Sequence, residues 1–149
     1  MPLPDFREDG WLPEGHHAAT WEEIAARFGG TPGSRRAAVH SRLLAWRDAL
    51  RDRNVGGRVI LDGSFISQKV GPGDFDAIFV YDEASVAALA RDAEARNLID
   101  INFIKERFRA DVFVFSSTAV RDSPAFCRTD GFDRHKITQK PKGVVEVTL

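Results

Sequence analysis

The chain of 149 residues has one cysteine, one methionine and one tyrosine. Cys127 has no partner within the chain, which excludes an intramolecular disulfide and any Cys-x-x-Cys zinc or redox motif and fits a reducing cytoplasm. No run of residues approaches the ~20 apolar positions that a membrane span needs, so no membrane contact is expected. Met1 to Asp9 carries prolines and mixed charge in place of an apolar stretch, so no signal peptide is expected either. An excess of one charge is also missing: 21 Lys+Arg stand against 22 Asp+Glu, a net charge of -1. No global field draws the chain to nucleic acid, and any such contact must come from a local patch. The Walker phosphate loop and the Gly-x-Ser-x-Gly elbow are absent, and no Ser-His-Asp set is readable. What remains is ordinary for a soluble globular protein, with 43% hydrophobic and 29% charged residues. The length fits one domain, residues 1–149.

The first nineteen residues, with Pro2, Pro4, Pro13 and Gly15, read as an extended arm with a turn at 12–16. Thr20 and Glu23 form a capping box that opens a short helix from Trp21 to Phe28, and Gly29-Gly30 ends it. Ser34 opens a long helix to about Arg53, with Val39, Leu43, Trp46 and Leu50 as its buried stripe. The sheet-containing core follows, over 58–149. Strands are expected at Arg58–Asp62, Phe75–Tyr81, Ile99–Ile104, Ala110–Phe115 and Gly143–Leu149. One helix is expected over Glu83–Arg96, with Val86, Leu89, Ala90 and Ala93 on its inner face. Residues 116–139 read as loop with a helical turn. Helices followed by strands with one helix between them predict an α+β fold with a mixed sheet.

The most informative stretch lies between two strands. Leu61-Asp62-Gly63-Ser64 ends the first, and after nine intervening residues Asp74-Phe75-Asp76 opens the second. Alternation puts Asp74 and Asp76 on one face. Like charges so close repel unless a cation sits between them. Two metal ions about 3.5–4 Å apart need roughly three carboxylates. Asp111, an acid interrupting the apolar strand Ala110–Phe115, is the third candidate; a structural pairing with Arg107 or Arg109, or a place at an exposed strand end, is the alternative. Asp100 ranks below it. Gly63 lets backbone approach a phosphate, and the Ser64 hydroxyl and neighbouring amides can bind its oxygens. Lys69 and Ser67, in the connecting loop, are further phosphate candidates.

This set, Gly63-Ser64 with Asp74 and Asp76 and a later Asp111, resembles the nucleotidyltransferase superfamily that includes DNA polymerase β, and in particular its minimal single-domain bacterial members. The resemblance covers about fifty residues, Leu61 to Phe115. It implies a nucleotidyltransferase-like mixed sheet. It further implies that Asp74, Asp76 and Asp111 hold two magnesium ions, manganese being a substitute. Asp111 would also help activate an acceptor hydroxyl, and Gly63 and Ser64 would bind the phosphates of a nucleoside triphosphate. The segments 12–17, 20–24, 61–65 and 141–147 are in addition similar to a small uncharacterised bacterial family of nucleotidyltransferase-like proteins, with no established substrate. The superfamily's small members often carry arginines soon after Gly-Ser; here Phe65 to Lys69 has a single late lysine.

The expected activity is magnesium-dependent transfer of a nucleoside monophosphate to a hydroxyl of a protein, an RNA end or a nucleotide. The resemblance places such proteins in toxin–antitoxin or phage-defence pairs. A catalytically weak, antitoxin-like regulator that binds a partner protein is the alternative, and a metal-dependent phosphohydrolase is a third reading. Arg134, Lys136, Lys140 and Lys142 form a basic run able to add positive charge, flanked by Phe126 and Phe132 as stacking candidates. Trp11, Trp21 and Trp46 read as anchors, and His16, His17 and His40 as structural.

Overall fold

A computed structural model describes residues 2–122 and 142–149; for 121 and 122 only the backbone is described. It is α+β, as expected. A five-stranded mixed sheet has the order β1-β5-β2-β3-β4, formed by β1 (Gly15–Ala18), β2 (Gly57–Asp62), β3 (Phe75–Tyr81), β4 (Ala110–Ser116) and β5 (Gly143–Thr148). The pairs β1·β5 and β3·β4 are parallel, while β2·β3 and β2·β5 are antiparallel.

Helix α1 (Trp21–Phe28) starts at the expected capping box, with Thr20 and Glu23 bonding reciprocally. Helix α2 (Arg35–Asp52) is capped by Ser34 and buries Val39, Leu43, Trp46 and Leu50. These side chains lie against the face of the sheet formed by Val59, Leu61, Phe75, Ala77, Phe79, Val112 and Val145. Trp46 is fully buried, meets Phe79 edge-on at 5.5 Å between centroids, and donates its indole N–H to Leu98 O at 3.0 Å. That bond removes the cost of burying the indole nitrogen. His40, beside the stripe, stacks on Phe65, and burial pushes its imidazole below its ordinary value.

Three expectations need correction. The helix over Glu83–Arg96 is broken into a 3-10 turn at Glu83–Ser85, α3 (Val86–Arg91) and α4 (Ala93–Asn97). Asp92 sits between them in an extended conformation, and its carboxylate takes the amides of Glu94 and Ala95. The inner side is therefore Ser85, Leu89, Ala95 and Leu98, while Val86 is exposed. Second, Ile99–Ile104 is no strand. Asp100 caps α5 (Ile101–Phe108) by accepting from the Phe103 amide at 2.9 Å, and Ile104 and Phe108, four apart, pack into the core. The alternating pattern lost to a cap plus an i,i+4 pair. Third, the turn at 12–16 lies earlier, around Arg7–Trp11, and Gly15–Ala18 forms an edge strand.

The arm is fastened along its length. Arg27 donates to the carbonyls of Leu3 and Pro4 and lies over the Phe6 ring, Gln68 N donates to Gly10 O, and Gly143 N donates to Leu12 O. Helix α6 (Ser117–Asp122) follows β4 directly, and Val120 covers Ile60, Ile78, Val80 and Val144 on the second face of the sheet. Cys127, Phe126, Phe132, Arg134, Lys136 and Lys140 lie outside the described residues. Among the described residues no helix is long and apolar enough to cross a membrane.

Candidate functional site

The second face of the sheet carries the acids. Asp62 on β2 is in register with Asp76 on β3, and Asp76 with Asp111 on β4. Residues paired across strands share a face, so three carboxylates form one row across three neighbouring strands. Asp74 precedes β3 by one residue, two positions from Asp76. Asp62 belongs to this row although the sequence reading singled out only its neighbours Gly63 and Ser64. The signal was present: Asp62 falls on the same alternation as Ile60, opposite the acid-bearing end of β3.

Each end of the row meets a lysine. At the inner end, Lys142 Nζ lies 2.8 Å from Asp62 Oδ1, with both side chains almost fully buried. The same ammonium stands 4.7 Å from the centroid of the Trp11 ring. At the outer end, Lys105 Nζ donates to Asp111 Oδ1 at 2.8 Å, and here the side chains are 55% and 50% exposed. Asp111 therefore pairs with neither Arg107 nor Arg109; its partner is a lysine delivered by α5. The Lys105 ammonium is held above its ordinary value chiefly by that hydrogen bond, with further support from the charges of Asp111, Asp74 and Asp76. Of the three acids expected to act together, Asp111 bonds this ammonium, and Asp76 is its neighbour in register. Asp100 is excluded from the group because its carboxylate caps α5.

Gly63 links this row to the loop that follows. Its backbone, at φ 77° and ψ -168°, lies in a region that is essentially reserved for glycine. A Cβ there would collide with Oδ2 of Asp76. The Asp76 carboxylate is thus seated on the bare Cα of Gly63, one residue from Ser64. Ser64 opens a 3-10 turn, Ser64–Ile66, and its carbonyl accepts from the Ser67 hydroxyl at 2.7 Å.

The arginine that the sequence lacked after Gly-Ser comes from α2. The Arg36 guanidinium donates to the carbonyls of Phe65, Ser67 (3.0 Å), Lys69 and, more distantly, Ser64 (3.5 Å), and it lies over the Phe65 ring. Burial pulls its pKa below the ordinary value, though a guanidinium stays charged at any working pH. The amides of Ile66, Ser67, Gln68 and Lys69 donate to Gly63 O, Ser64 O, Gly10 O and Ser67 Oγ, so the loop is held by bonds on both sides. Arg36 shapes this loop from behind. Lys69 and Ser64 line one cavity with Trp11.

The donor set matches a hard divalent cation in chemistry, being all carboxylate oxygen. In the described geometry the Lys105 ammonium takes the place of such an ion beside Asp111. Among the described residues no group of three or more acids, histidines or cysteines is already arranged to hold a metal.

A family model described as a family of unknown function (DUF6932) matches residues 4–148, and the chain belongs to that family. No curated protein and no solved structure matches it.

Proposed function

We propose that this member of the family is a magnesium-dependent nucleotidyltransferase, moving a nucleoside monophosphate from a nucleoside triphosphate to an acceptor hydroxyl. The observation that carries the reading is the register that sets Asp76 beside Asp111 on one face of the sheet, two residues after Asp74, with Asp76 seated against Gly63 of the Gly-Ser turn. Asp74, Asp76 and Asp111 would hold the magnesium, which supplies charge neutralisation for the triphosphate and for the leaving pyrophosphate. Lys105 gives up its place among the acids on metal loading, and its exposure makes that exchange cheap. The Ser64 hydroxyl holds the phosphate oxygens at the loop shaped by Arg36, and Lys69 adds a positive charge at the same loop. Asp111 takes the proton of the acceptor hydroxyl as its oxygen bonds to the α-phosphorus. The bond from that phosphorus to the bridging oxygen breaks, and pyrophosphate leaves. A cytoplasmic setting, an RNA, protein or nucleotide acceptor, and a role in toxin–antitoxin or phage defence extend this reading.

One observation favours a second reading. Asp111 already has a cation of its own chain in Lys105, and an acid paired from within suits a fold kept for binding a partner protein. One experiment separates the two. The protein is incubated with each α-labelled nucleoside triphosphate, magnesium and candidate acceptors, beside Asp76→Ala. Label transfer that needs magnesium and disappears in the variant supports the transferase. Absence of transfer from every triphosphate to every acceptor leaves the binding protein.

A further inference from the structure

The arm forms one wall of a cavity of about 370 Å³ whose opposite wall is the loop after Gly63. Trp11 and Glu8 contribute from the arm, and Ser64, Ser67, Gln68 and Lys69 from the loop. The volume lies near the lower bound of small-molecule sites, about 300–1,000 Å³. The two walls are fixed to each other by the bond from Gln68 N to Gly10 O at 3.0 Å. Ser64 also belongs to the Gly-Ser turn against which Asp76 is seated. The cavity therefore reaches from Ser64, where the phosphate-binding turn is expected, to Trp11 of the arm, whose ring lies over the Lys142 ammonium.

We propose that this cavity is the nucleobase subsite, and that it takes a base bearing an exocyclic amino group: adenine, guanine or cytosine in preference to uracil. The proposal rests on the nucleotidyl-transfer reading and supplies the base site that the carboxylate row does not provide. Charge fixes the direction of the ligand. Phosphates belong at the Ser64 and Lys69 side, because the arm side carries acids. Asp9 is committed to holding the arm: it takes Nε and Nη2 of Arg7 at 3.2 and 2.9 Å and the Trp11 amide at 3.2 Å. Glu8, exposed at the cavity, makes no such bond among the described residues. A carboxylate repels phosphate but accepts hydrogen bonds from an amino group, as it does from the cytosine amine. Trp11 supplies the large apolar surface that a base needs to pack against, and Gln68 adds both a donor and an acceptor.

Isothermal titration of the full chain with magnesium tripolyphosphate, ATP, GTP, CTP and UTP tests this. The three amino-bearing nucleotides should bind about tenfold or more tighter than tripolyphosphate, and UTP should bind close to tripolyphosphate. Removing an aromatic that packs on a base costs about 5- to 150-fold in affinity. Trp11→Leu should therefore bring ATP, GTP and CTP down to the tripolyphosphate level and leave tripolyphosphate itself unchanged. Glu8→Gln, at an exposed position that leaves the fold intact, should narrow the gap between the amino-bearing nucleotides and UTP, and it decides alone if Trp11→Leu does not fold. Nucleotides that bind no tighter than tripolyphosphate, or a Glu8→Gln protein with unchanged preference, overturn the base subsite while the phosphate site stands. Failure of tripolyphosphate and every nucleotide to bind overturns the transferase reading and the base subsite with it.

Discussion

The two ends of the carboxylate row have the same chemistry and opposite surroundings. Lys142 and Asp62 form an ion pair of 2.8 Å, and so do Lys105 and Asp111. The first is buried beneath Trp11 and joins the start of β5 to the end of β2. The second lies half in water, between the C-terminal half of α5 and the start of β4. Coulomb attraction at equal distance is far stronger where water is excluded, but so is the cost of removing either partner. The inner pair is therefore a fixed part of the scaffold, and the outer pair is free to exchange its cation. One row of acids thus has a dry end that locks strands together and an end open to water.

The sharpest way to break the comparison is to remove one partner at the buried end. Asp62→Leu strands the Lys142 ammonium and should cost about 3–5 kcal/mol of unfolding free energy in urea. Adding Lys142→Met should return much of that loss, because a well-packed apolar pair often replaces a buried ion pair without penalty. A cost for Asp62→Leu no larger than that of a surface pair would mean that the two ends do not differ. The middle of the row comes next. Gly63→Ala forces a Cβ into a glycine-only conformation and into the Asp76 carboxylate. About 1–3 kcal/mol of stability should be lost, and divalent cation binding should weaken as Asp76 is displaced. Retention of both would show that Asp76 is not held by this glycine.

Much of this arrangement was legible in the chain, for local reasons. Capping residues set the start of α1 and α2, short apolar runs set β2, β3 and β4, and alternation put Asp74 and Asp76 on one face. The cations were hidden. Lys105 lay just beyond what alternation read as a strand, Ile99–Ile104. Only the Asp100 cap and the pairing of Ile104 with Phe108 make that segment a helix, and the helix is what carries Lys105 to Asp111. Lys142 and Asp62 are far apart in sequence and meet only because β5 inserts between β1 and β2. Arg36 lies near the start of a helix, and nothing near Ser64 announces that a guanidinium from α2 gathers its loop's carbonyls. Local pattern gave the acids; long-range topology decided which cation each one meets.

The smallest expected change in stability is at the outer end, and it is the most telling for function. Lys105→Met removes a pair that is about half exposed on both sides, so the loss should stay within about 0–1 kcal/mol. Salt sharpens the contrast. The Debye length falls from about 10 Å at 0.1 M to about 3 Å at 1 M, so the stability difference between wild type and Lys105→Met should vanish in concentrated sodium chloride, whereas that of Asp62→Leu should persist. Cation binding should move in the opposite direction to stability. With the competing ammonium gone, Asp111 loses its cation beside Asp76, and manganese, followed by electron paramagnetic resonance, should bind severalfold more tightly than to wild type. Unchanged manganese affinity in Lys105→Met would show that the ammonium does not stand where the metal goes. The outer pair would then be as structural as the inner one, and the comparison between the two ends would collapse.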